Sequence, residues 1–500
     1  MPVLGWTQPA SSNGVNLVDS IDQMDPSYAL ELINIIPGAQ TPKLRKGYIS
    51  NCSTGASNQI GTLTGLPLTD GTSKLTATDA SKIWEVSTTS ASNITGVTVP
   101  TSANWNTTNF ANRTYFCNGA DTVQVYTGTG SCADSNFSGV TLANLINVSS
   151  YKERLYFVEK NTLKFWYGNT QAVGGSALTA YDLQYTFKRG GRLLFAGSWT
   201  NQLATTSADL FFACSSQGEI LFYSGSYPGD AAWTLVARFV IGKPMSYRSF
   251  VRVDNDVWII TEQGVVPISA LFQVGASHAL DTVGDKINPL LSYYASNIGF
   301  SHLWHGIHNP IDALVYIVIP MGGSSSIFAV YSTDKNSWTN YEFNQTGDGL
   351  ALAMLNSSPY WGSSNGTIFK GEYGYNDNGA AISYSGRTAF TFGGQRNQYK
   401  TFKDIRPLLK APPSIEMQIG LDTDFRRQAE LDTITLPSGT FTPYGSLYGS
   451  LYSSDAEYVY QRYSTRGQGH SFAIRYSGTV LDSSLEIYGF EVRYDGGGQV

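Results

Sequence analysis

The sequence predicts an all-β protein: a β-propeller of six or seven blades with a β-sandwich-like platform domain built from the C-terminal part and the N-terminal arm. Hairpins of aromatic-rich strands recur about every 40–60 residues, a spacing typical of propeller blades. Gly (51), Tyr (31) and Phe (24) are abundant and charged residues make up only 14%, which favours many short strands joined by turns. After about residue 377 the strands alternate more regularly between apolar and polar residues, which indicates a separate sandwich.

The hairpin within Tyr151–Thr170 carries the propeller prediction most directly. In its first strand, Leu155 and Phe157 point to one face, and Tyr156 and Val158 point to the other. An open antiparallel sheet usually keeps one face polar, whereas a propeller blade is covered on both faces by its neighbours. A hairpin of a β-sandwich is the alternative, and the recurrence of the pattern favours the propeller.

The same pattern of strand, polar turn and strand occurs six more times. The strand pairs are Lys74–Thr78 with Lys82–Ser87, Arg113–Asn118 with Thr122–Thr127, Leu210–Cys214 with Glu219–Tyr223, Val257–Thr261 with Val265–Ile268, Leu314–Ile319 with Ile327–Tyr331, and Ser358–Gly362 with Thr367–Lys370. A recurring aromatic position is filled by Tyr115, Tyr156, Phe211, Trp258, Tyr316 and Tyr360. A helix opening at Asn288-Pro289 interrupts the series.

These patterns divide the chain into three parts. Residues 1–60 are an N-terminal arm joining the platform, residues 61–376 are the propeller, and residues 377–500 are the sandwich platform domain. In the arm, Asp25-Pro26 predicts the start of a short helix. Its apolar face would contain Ala29, Leu32, Ile33 and Ile36. The tail Gly496–Val500 is predicted to be disordered.

The charge pattern argues against a protein that holds nucleic acid by neutralising phosphates. The net charge is −6, and the basic clusters Lys43–Lys46, Lys188–Arg192 and Arg426–Arg427 are short and far apart. We interpret each cluster as solvated surface or strand-end charge. The N-terminus has neither a basic region nor an apolar run, so no signal peptide is predicted, and no apolar run reaches the ~20 residues of a membrane span.

No motif points to a catalytic, cofactor or metal site. The four cysteines are scattered, with no CxxC pair, which favours buried free thiols over a disulfide framework or a structural zinc. His302, His305 and His308 are interpreted as partly exposed turn histidines rather than metal ligands. Two carboxylate pairs, Asp254/Asp256 and Asp422/Asp424, are placed at β-turns, where aspartate is common.

Several stretches resemble the tail nozzle proteins of short-tailed bacteriophages, also called tail tubular protein B or head-to-tail stabilisation proteins. Gly14–Tyr48 is similar to the start of that family. Lys74–Val86 and Ala329–Phe343 are similar to its blades. Lys400–Leu409 and Ser471–Gly498 resemble its closing sandwich strands. The resemblance covers most of the chain, and it transfers no catalytic residue.

The resemblance implies a structural protein of the virion, located in the phage tail and assembled in the host cytoplasm. It implies a homo-oligomeric ring, a hexamer in this family, with portal, adaptor and other tail proteins as partners. The ring would retain the packaged genome and form the channel for its ejection, without sequence-specific DNA binding. Within the stretches that match the family's arm, the interface candidates are Asp25, Leu32, Ile33, Arg45 and Lys46.

Another class of function stays open at this point. The chain is alternatively a secreted or surface β-propeller that binds or hydrolyses carbohydrate, because the aromatic residues of the blades have the chemistry to stack on sugars. The missing secretion signal, and the use of aromatic residues in blade cores, weigh against this alternative. A receptor-binding fibre is disfavoured because fibres are built from long thin repeats, which this chain lacks.

Overall fold

The computed structural model describes residues 3–38, 41–201, 208–274, 283–344, 347–411, 415–428, 431–436, 457–459 and 461–499. The chain forms two compact units. The propeller unit comprises Ser50–Phe328 and Gln345–Lys370. The sandwich unit comprises Met1–Ile49, Ala329–Asn344 and Gly371–Val500.

The propeller unit contains six separate antiparallel sheets, which we number as blades 1 to 6. Their strands are, for blade 1, Thr62–Pro67, Ser73–Thr78, Ile83–Val86 and Ala91–Asn93; for blade 2, Asn106–Phe110, Arg113–Cys117, Gln124–Tyr126 and Ala133–Asp134; for blade 3, Leu145–Tyr151, Arg154–Glu159, Lys164–Tyr167 and Thr179–Asp182; for blade 4, Leu193–Asn201, Ala208–Ser215, Glu219–Ser224 and Thr234–Val240; for blade 5, Phe250–Val253, Asp256–Thr261 and Gly264–Pro267; and for blade 6, Ala351–Leu355, Ser358–Gly362, Thr367–Gly371 and Tyr48–Ser53.

Consecutive blades contact one another and close a ring. Blade 6 contacts blade 1, and the strand His305–Asn309, paired with Leu314–Gly322, lies between blades 5 and 6. Blade 5 is followed by the helices Ile268–Val274 and Asn288–Ile298. The predicted propeller is therefore confirmed, with six blades and one further hairpin in the ring. The helix at Asn288 is also confirmed.

The two-faced hairpin explains how the ring is held together. Leu155 and Phe157 pack with the blade 2 residue Tyr115. Tyr156, on the other face, packs with Phe211 of blade 4 at a ring distance of 4.8 Å. Each face of the blade therefore buries its apolar side chains against a different neighbour, as the sequence pattern predicts. All seven predicted hairpins are present.

The sandwich unit contains strands of two sheets. One sheet comprises Val3–Pro9, Ile35–Ile36, Lys43–Leu44, Gln398–Ala411, Glu457–Val459, Tyr463–Ser464, Gln468–Gly469 and Glu486–Gln499. The other comprises Ser337–Tyr341, Ala29–Ile33, Ile382–Thr388, Phe472–Val480, Glu416–Thr423 and Asp432–Thr435, in that order. Ser325–Ser332 is the strand within which the boundary between the two units falls. Ring contacts Phe402–Phe472 and Tyr476–Phe490, both at 5.1 Å, join the two sheets.

The helix predicted in the arm is wrong, because Ala29–Ile33 is a strand. Its buried residues Ala29 and Leu32 are three apart, which resembles one face of a helix. The spacing has another origin: the strand register shifts between Ala29 and Glu31, and this bulge adds one residue to the period of two expected for a strand. After the strand, Asn34 adopts a left-handed φ of 59°, and Ile35–Ile36 joins the other sheet.

Two predictions about the C-terminal part have different outcomes. The disordered tail is wrong, since the strand Glu486–Gln499 extends to residue 499 along Gln398–Ala411. The stretch Gly445–Leu451, whose sequence GSLYGSL predicts a loop of Gly, Ser and Tyr, lies outside the described residues. The four cysteines Cys52, Cys117, Cys132 and Cys214 are buried free thiols, and burial raises the pKa of each.

Candidate functional site: the joint of three chain segments

Three distant segments of the chain meet at one buried arginine of the sandwich unit. Arg45 comes from the N-terminal segment, Glu342 from the middle segment, and Asp377 from the C-terminal segment. We call Arg45, Asn34 and Asp377, with the backbone groups that they bind, the Arg45 joint. The joint therefore connects, besides the strand pairing, the three segments from which the sandwich unit is assembled.

Every N–H of the Arg45 guanidinium is used. Nη1 and Nη2 donate to Oδ1 and Oδ2 of Asp377 at 2.8 and 2.7 Å. The remaining three donors bind Asn34 Oδ1 at 2.8 Å, the Lys46 carbonyl at 3.0 Å and the Glu342 carbonyl at 3.2 Å. A guanidinium has five donors in a fixed planar fork. The site is therefore saturated and has no donor left for a ligand.

The amide nitrogen and the amide oxygen of Asn34 are also fully hydrogen-bonded in the joint. Its Nδ2 donates to the carbonyls of Glu342 at 2.9 Å and Ser383 at 2.8 Å. Its Oδ1 accepts from Arg45 Nε and from the Glu342 backbone N–H at 3.0 Å. Asparagine tolerates the left-handed backbone found here better than most residues. One residue therefore ends the strand Ala29–Ile33 with its backbone and ties the three segments together with its side chain.

The electrostatics of the joint favour a permanently charged Arg45. Its side chain is 1% exposed and that of Asp377 is 0% exposed. Burial lowers the pKa of Arg45, but the hydrogen bonds and charge of Asp377 outweigh burial and raise it overall. The rings of Tyr341 and Phe343 lie 5.4 and 5.7 Å from the guanidinium carbon, within cation–π distance.

The residues that follow Arg45 explain why the chain approaches the C-terminal segment so closely here. A Cβ at Gly47 would lie 1.8 Å from the carbonyl oxygen of Asn376, so only glycine fits. Tyr48, 1% exposed, packs edge-on against Phe343 at 5.7 Å and donates its backbone N–H to Asn376. Arg45, Gly47 and Tyr48 therefore each have a physical role in this close approach.

The interface candidates from the sequence occupy different environments. Leu32 and Arg45 are buried inside the sandwich unit, Ile33 and Lys46 are half-buried, and Asp25 is exposed. Asp25 accepts hydrogen bonds from the backbone and hydroxyl of Ser27, which lower its pKa. The interpretation of Lys43–Lys46 as solvated charge is wrong for Arg45, because its side chain is buried in an ion pair with Asp377. No local pattern could indicate this pair, since Asp377 lies 332 positions away along the chain.

The histidine prediction is correct for His302, which is half-buried at a turn, but His305 and His308 belong to the strand His305–Asn309 rather than to a turn. His305 is 4% exposed within the strand His305–Asn309; its Nδ1 lies 2.7 Å from the Leu303 carbonyl and its Nε2 accepts from the Leu352 N–H at 3.1 Å. Burial first, and then the charge of Arg248, hold the pKa values of His302 and His305 well below the ordinary value. Both rings are therefore neutral at pH 7.

The carboxylates of the two pairs make contacts that hold local structure. Asp256 accepts from the backbone and hydroxyl of Ser269 at the start of the helix Ile268–Val274. Asp422, fully buried, lies 2.6 Å from Arg387 Nε and 3.6 Å from Arg475 Nε. Asp424 accepts from the backbone of His470 and Ser471 at 2.7 and 3.0 Å. Asp254 lies at a turn with a φ of 50°.

The recurring aromatic residues lie in the blade cores. Tyr115, Tyr156, Phe211, Trp258 and Tyr316 are at most 7% exposed, and Tyr360 is half-buried. Stacking on a sugar needs an accessible ring face, which the five buried rings do not offer. Within the described ranges, no group of three or more His, Cys, Asp and Glu side chains is arranged to hold a metal. The helices described here include none that is long and apolar enough to cross a membrane.

Asn34 and Asp377 are the functional residues that sequence reasoning missed. Nothing in the local sequence marks Asp377, because it lies among turn residues typical of any loop (Asn376-Asp377-Asn378-Gly379). Asn34 between two apolar pairs, Leu32-Ile33 and Ile35-Ile36, is the only local signal, since a polar residue inside an apolar run needs buried partners.

No protein-family model and no curated protein matches this chain. Similar solved structures include the computationally designed Ika8 protein, at 12% identity and a TM-score of 0.37, with 64% of this chain and 99% of that chain covered. YCF48 bound to a D1 peptide is similar at 9% identity and a TM-score of 0.39, with 64% of this chain and 94% of that chain covered. The architecture described above therefore rests on the strands of this chain itself.

Proposed function

We propose that the chain is a non-enzymatic structural protein, a tail nozzle subunit of a short-tailed bacteriophage. Six copies form a ring below the portal and adaptor, retain the packaged genome and provide the channel for its ejection. The localisation is the virion tail, and the partners are further copies, the portal and adaptor, and other tail proteins.

One observation carries the proposal beyond the sequence resemblance: the N-terminal and C-terminal segments form a single unit. Val3–Pro9 pairs with Gly489–Asp495 of the last strand, and Arg45 binds Asp377. The resemblance implies this organisation, in which both chain ends form a platform and the propeller is the outer body. A buried site whose hydrogen-bond donors are all used within the chain is rigid, which suits a structural part rather than a site that exchanges ligands.

The low charge of the chain is compatible with a conduit for DNA. A net charge of −6 over 500 residues provides no general attraction for phosphates. A lining that bound phosphates tightly would slow the passage of DNA, whereas a neutral or acidic lining lets it slide. The sparse surface charge also suits permanent interfaces, whose cores are depleted of charged residues.

Quantitative mass spectrometry of purified particles from the source of this gene tests the proposal. We expect the chain in a fixed ratio to the portal subunit that corresponds to six copies per particle. A chain that is absent from particles and abundant in the culture supernatant would contradict it. In that case a glycan-array screen and a reducing-sugar assay would test the carbohydrate alternative directly.

A further inference from the structure

A pocket of about 350 Å³ lies in the propeller unit at the junction of blades 4 and 5. Its walls come from the residue before blade 4, one hairpin turn from each of the two blades, the connection between the blades, and the C-terminal end of the helix Asn288–Ile298. This volume lies within the range of pockets that hold small molecules. The proposed nozzle function does not account for it.

Three charged side chains line this pocket: Arg192, Lys243 and Glu262. None of them makes a side-chain hydrogen bond or ion pair with another residue in the described part of the chain. Arg192 Nε is buried without a hydrogen-bond partner among those residues. A buried donor left unpaired costs about 1–3 kcal/mol, so its presence needs an explanation. A bound anion would provide one.

Arg192 is nevertheless held in place. Its backbone N–H donates to Ser216 Oγ at 3.1 Å. Its guanidinium carbon lies 5.5 Å from the ring of Phe300 and 6.0 Å from the ring of Tyr247. Contact with aromatic rings satisfies the flat face of a guanidinium but not the N–H groups along its edge. The side chain is therefore positioned while its donors stay available.

The nearby buried carboxylate does not neutralise Arg192. Glu219 is 1% exposed and accepts hydrogen bonds from the backbone N–H groups of Lys188 and Arg189, each at 2.8 Å. Its side chain also lies 3.7 Å from Arg238 Nε. Glu219 thus fixes the loop that leads to Arg192 and leaves the pocket with two cations and one carboxylate.

We propose that this pocket binds a small organic anion. Arg192 and Lys243 hold its phosphate or carboxylate group, and an apolar body of about one ring lies against Pro244, Met245 and Phe300, which also line the pocket. Glu262 accepts a hydrogen bond from a hydroxyl or amine of the ligand. The pairing of a guanidinium with an oxyanion is the geometry in which arginine binds most strongly.

Calorimetric titration of the full chain with phenyl phosphate, benzoate and benzyl alcohol tests the proposal. We expect both anions to bind and the uncharged alcohol not to bind. The stronger of the two anions identifies the acid group. Arg192→Gln should weaken anion binding by about tenfold or more, as expected for the loss of a charged hydrogen bond. Arg189→Gln is the matched control, because Arg189 is exposed on the same loop and does not line the pocket.

Two more variants separate this site from general charge attraction. Lys243→Met should also weaken binding of the two anions. Glu262→Gln should strengthen it a few-fold, because these anions carry no hydroxyl or amine for Glu262 to bind and a like charge is removed. Thermal melting of each variant shows that it is folded. The proposal is overturned if neither anion binds at millimolar concentration, or if Arg192→Gln and Arg189→Gln bind equally well. Inorganic phosphate binding as tightly as phenyl phosphate would overturn the apolar part of the site.

Discussion

Arg45 and Arg192 are the same residue type in opposite situations. In the sandwich unit, Arg45 is 1% exposed and uses all its N–H groups, two of them on the carboxylate of Asp377. In the propeller unit, Arg192 lines an open pocket, and its guanidinium has aromatic neighbours but no hydrogen-bond acceptor among the described residues. Contact with aromatic rings does not explain the difference, since both side chains make it.

The difference lies in where the partner comes from. Each acceptor of Arg45 belongs to a segment that must be assembled for the sandwich unit to form, so the arginine contributes to folding. Near Arg192, the buried carboxylate Glu219 is instead occupied by backbone N–H groups. A saturated buried charge is therefore expected to affect stability, and an unsaturated one in a pocket is expected to affect binding.

Alanine substitution of the two arginines tests this comparison and should give the largest effect. Arg45→Ala leaves the Asp377 carboxylate buried without its partner, which costs about 3–5 kcal/mol of the free energy of unfolding. Arg192→Ala should cost less than about 1 kcal/mol, because no interaction with a described residue other than ring contact is lost. Denaturant unfolding monitored by hydrogen exchange in each unit provides the measurement.

The double variant Arg45→Met with Asp377→Leu is the control for the first prediction. Removing both charges eliminates the unpaired carboxylate, so the loss should be smaller than in Arg45→Ala. A loss of stability in Arg192→Ala as large as in Arg45→Ala would show that the pocket is structural, and the contrast between the two sites would disappear.

A glycine substitution sharpens the account of how the Arg45 joint is closed. Gly47→Ala puts a Cβ into the carbonyl of Asn376, so the two segments must separate, at a cost of about 2–3 kcal/mol. Gly5→Ala is the matched control in the same unit, because a Cβ there meets nothing within 4 Å. The midpoints of thermal unfolding should fall for Gly47→Ala and stay within about 2 °C of the original for Gly5→Ala. Equal midpoints would refute the close-approach argument.

The smallest expected effect is a difference between the two units in how their stability depends on pH. The depressed pKa values of His302 and His305 mean that the unfolded chain binds more protons below pH 6.5, so the propeller unit loses stability as the pH falls through that value. The slope is at most about 1.4 kcal/mol per histidine and pH unit. In the sandwich unit, Asp404 is desolvated, but Arg493 and Arg462 lower its pKa, and its contribution is lost only below about pH 3.8.

Hydrogen exchange at pH 7 and pH 5.5, corrected for intrinsic rates, measures this difference. Blade strands should lose protection while the strands of the sandwich unit keep theirs. His302→Phe should reduce the pH dependence, because an apolar ring at this position cannot become charged. If protection falls equally in both units, the histidines do not determine the acid response.

Local patterns of the sequence determined much of the architecture. Side-chain period and turn residues, which act over a few positions, predict the seven hairpins and the helix at Asn288. They also predict the more regular alternation of apolar and polar residues after about residue 377. The burial of both faces of Arg154–Glu159 also follows, because a strand that is apolar on both sides must be covered on both sides. The first and fourth strands of most blades escaped prediction, since they are more polar and less regular.

Only the tertiary structure decided the sites. Ala29–Ile33 has helix-like spacing, and partners on both sides make it a bulged strand, because sheet pairing supplies more than local propensity does. The partner of Arg45 lies 332 residues away, and the free donors of Arg192 depend on which acceptors the fold brings near it. A short stretch of sequence encodes neither the distance along the chain to the partner of an arginine nor the number of hydrogen-bond acceptors around it. The sequence by itself therefore determined the strands and the blades. Long-range packing decided which charged side chains use all their hydrogen-bond donors and which keep donors without a partner among the described residues.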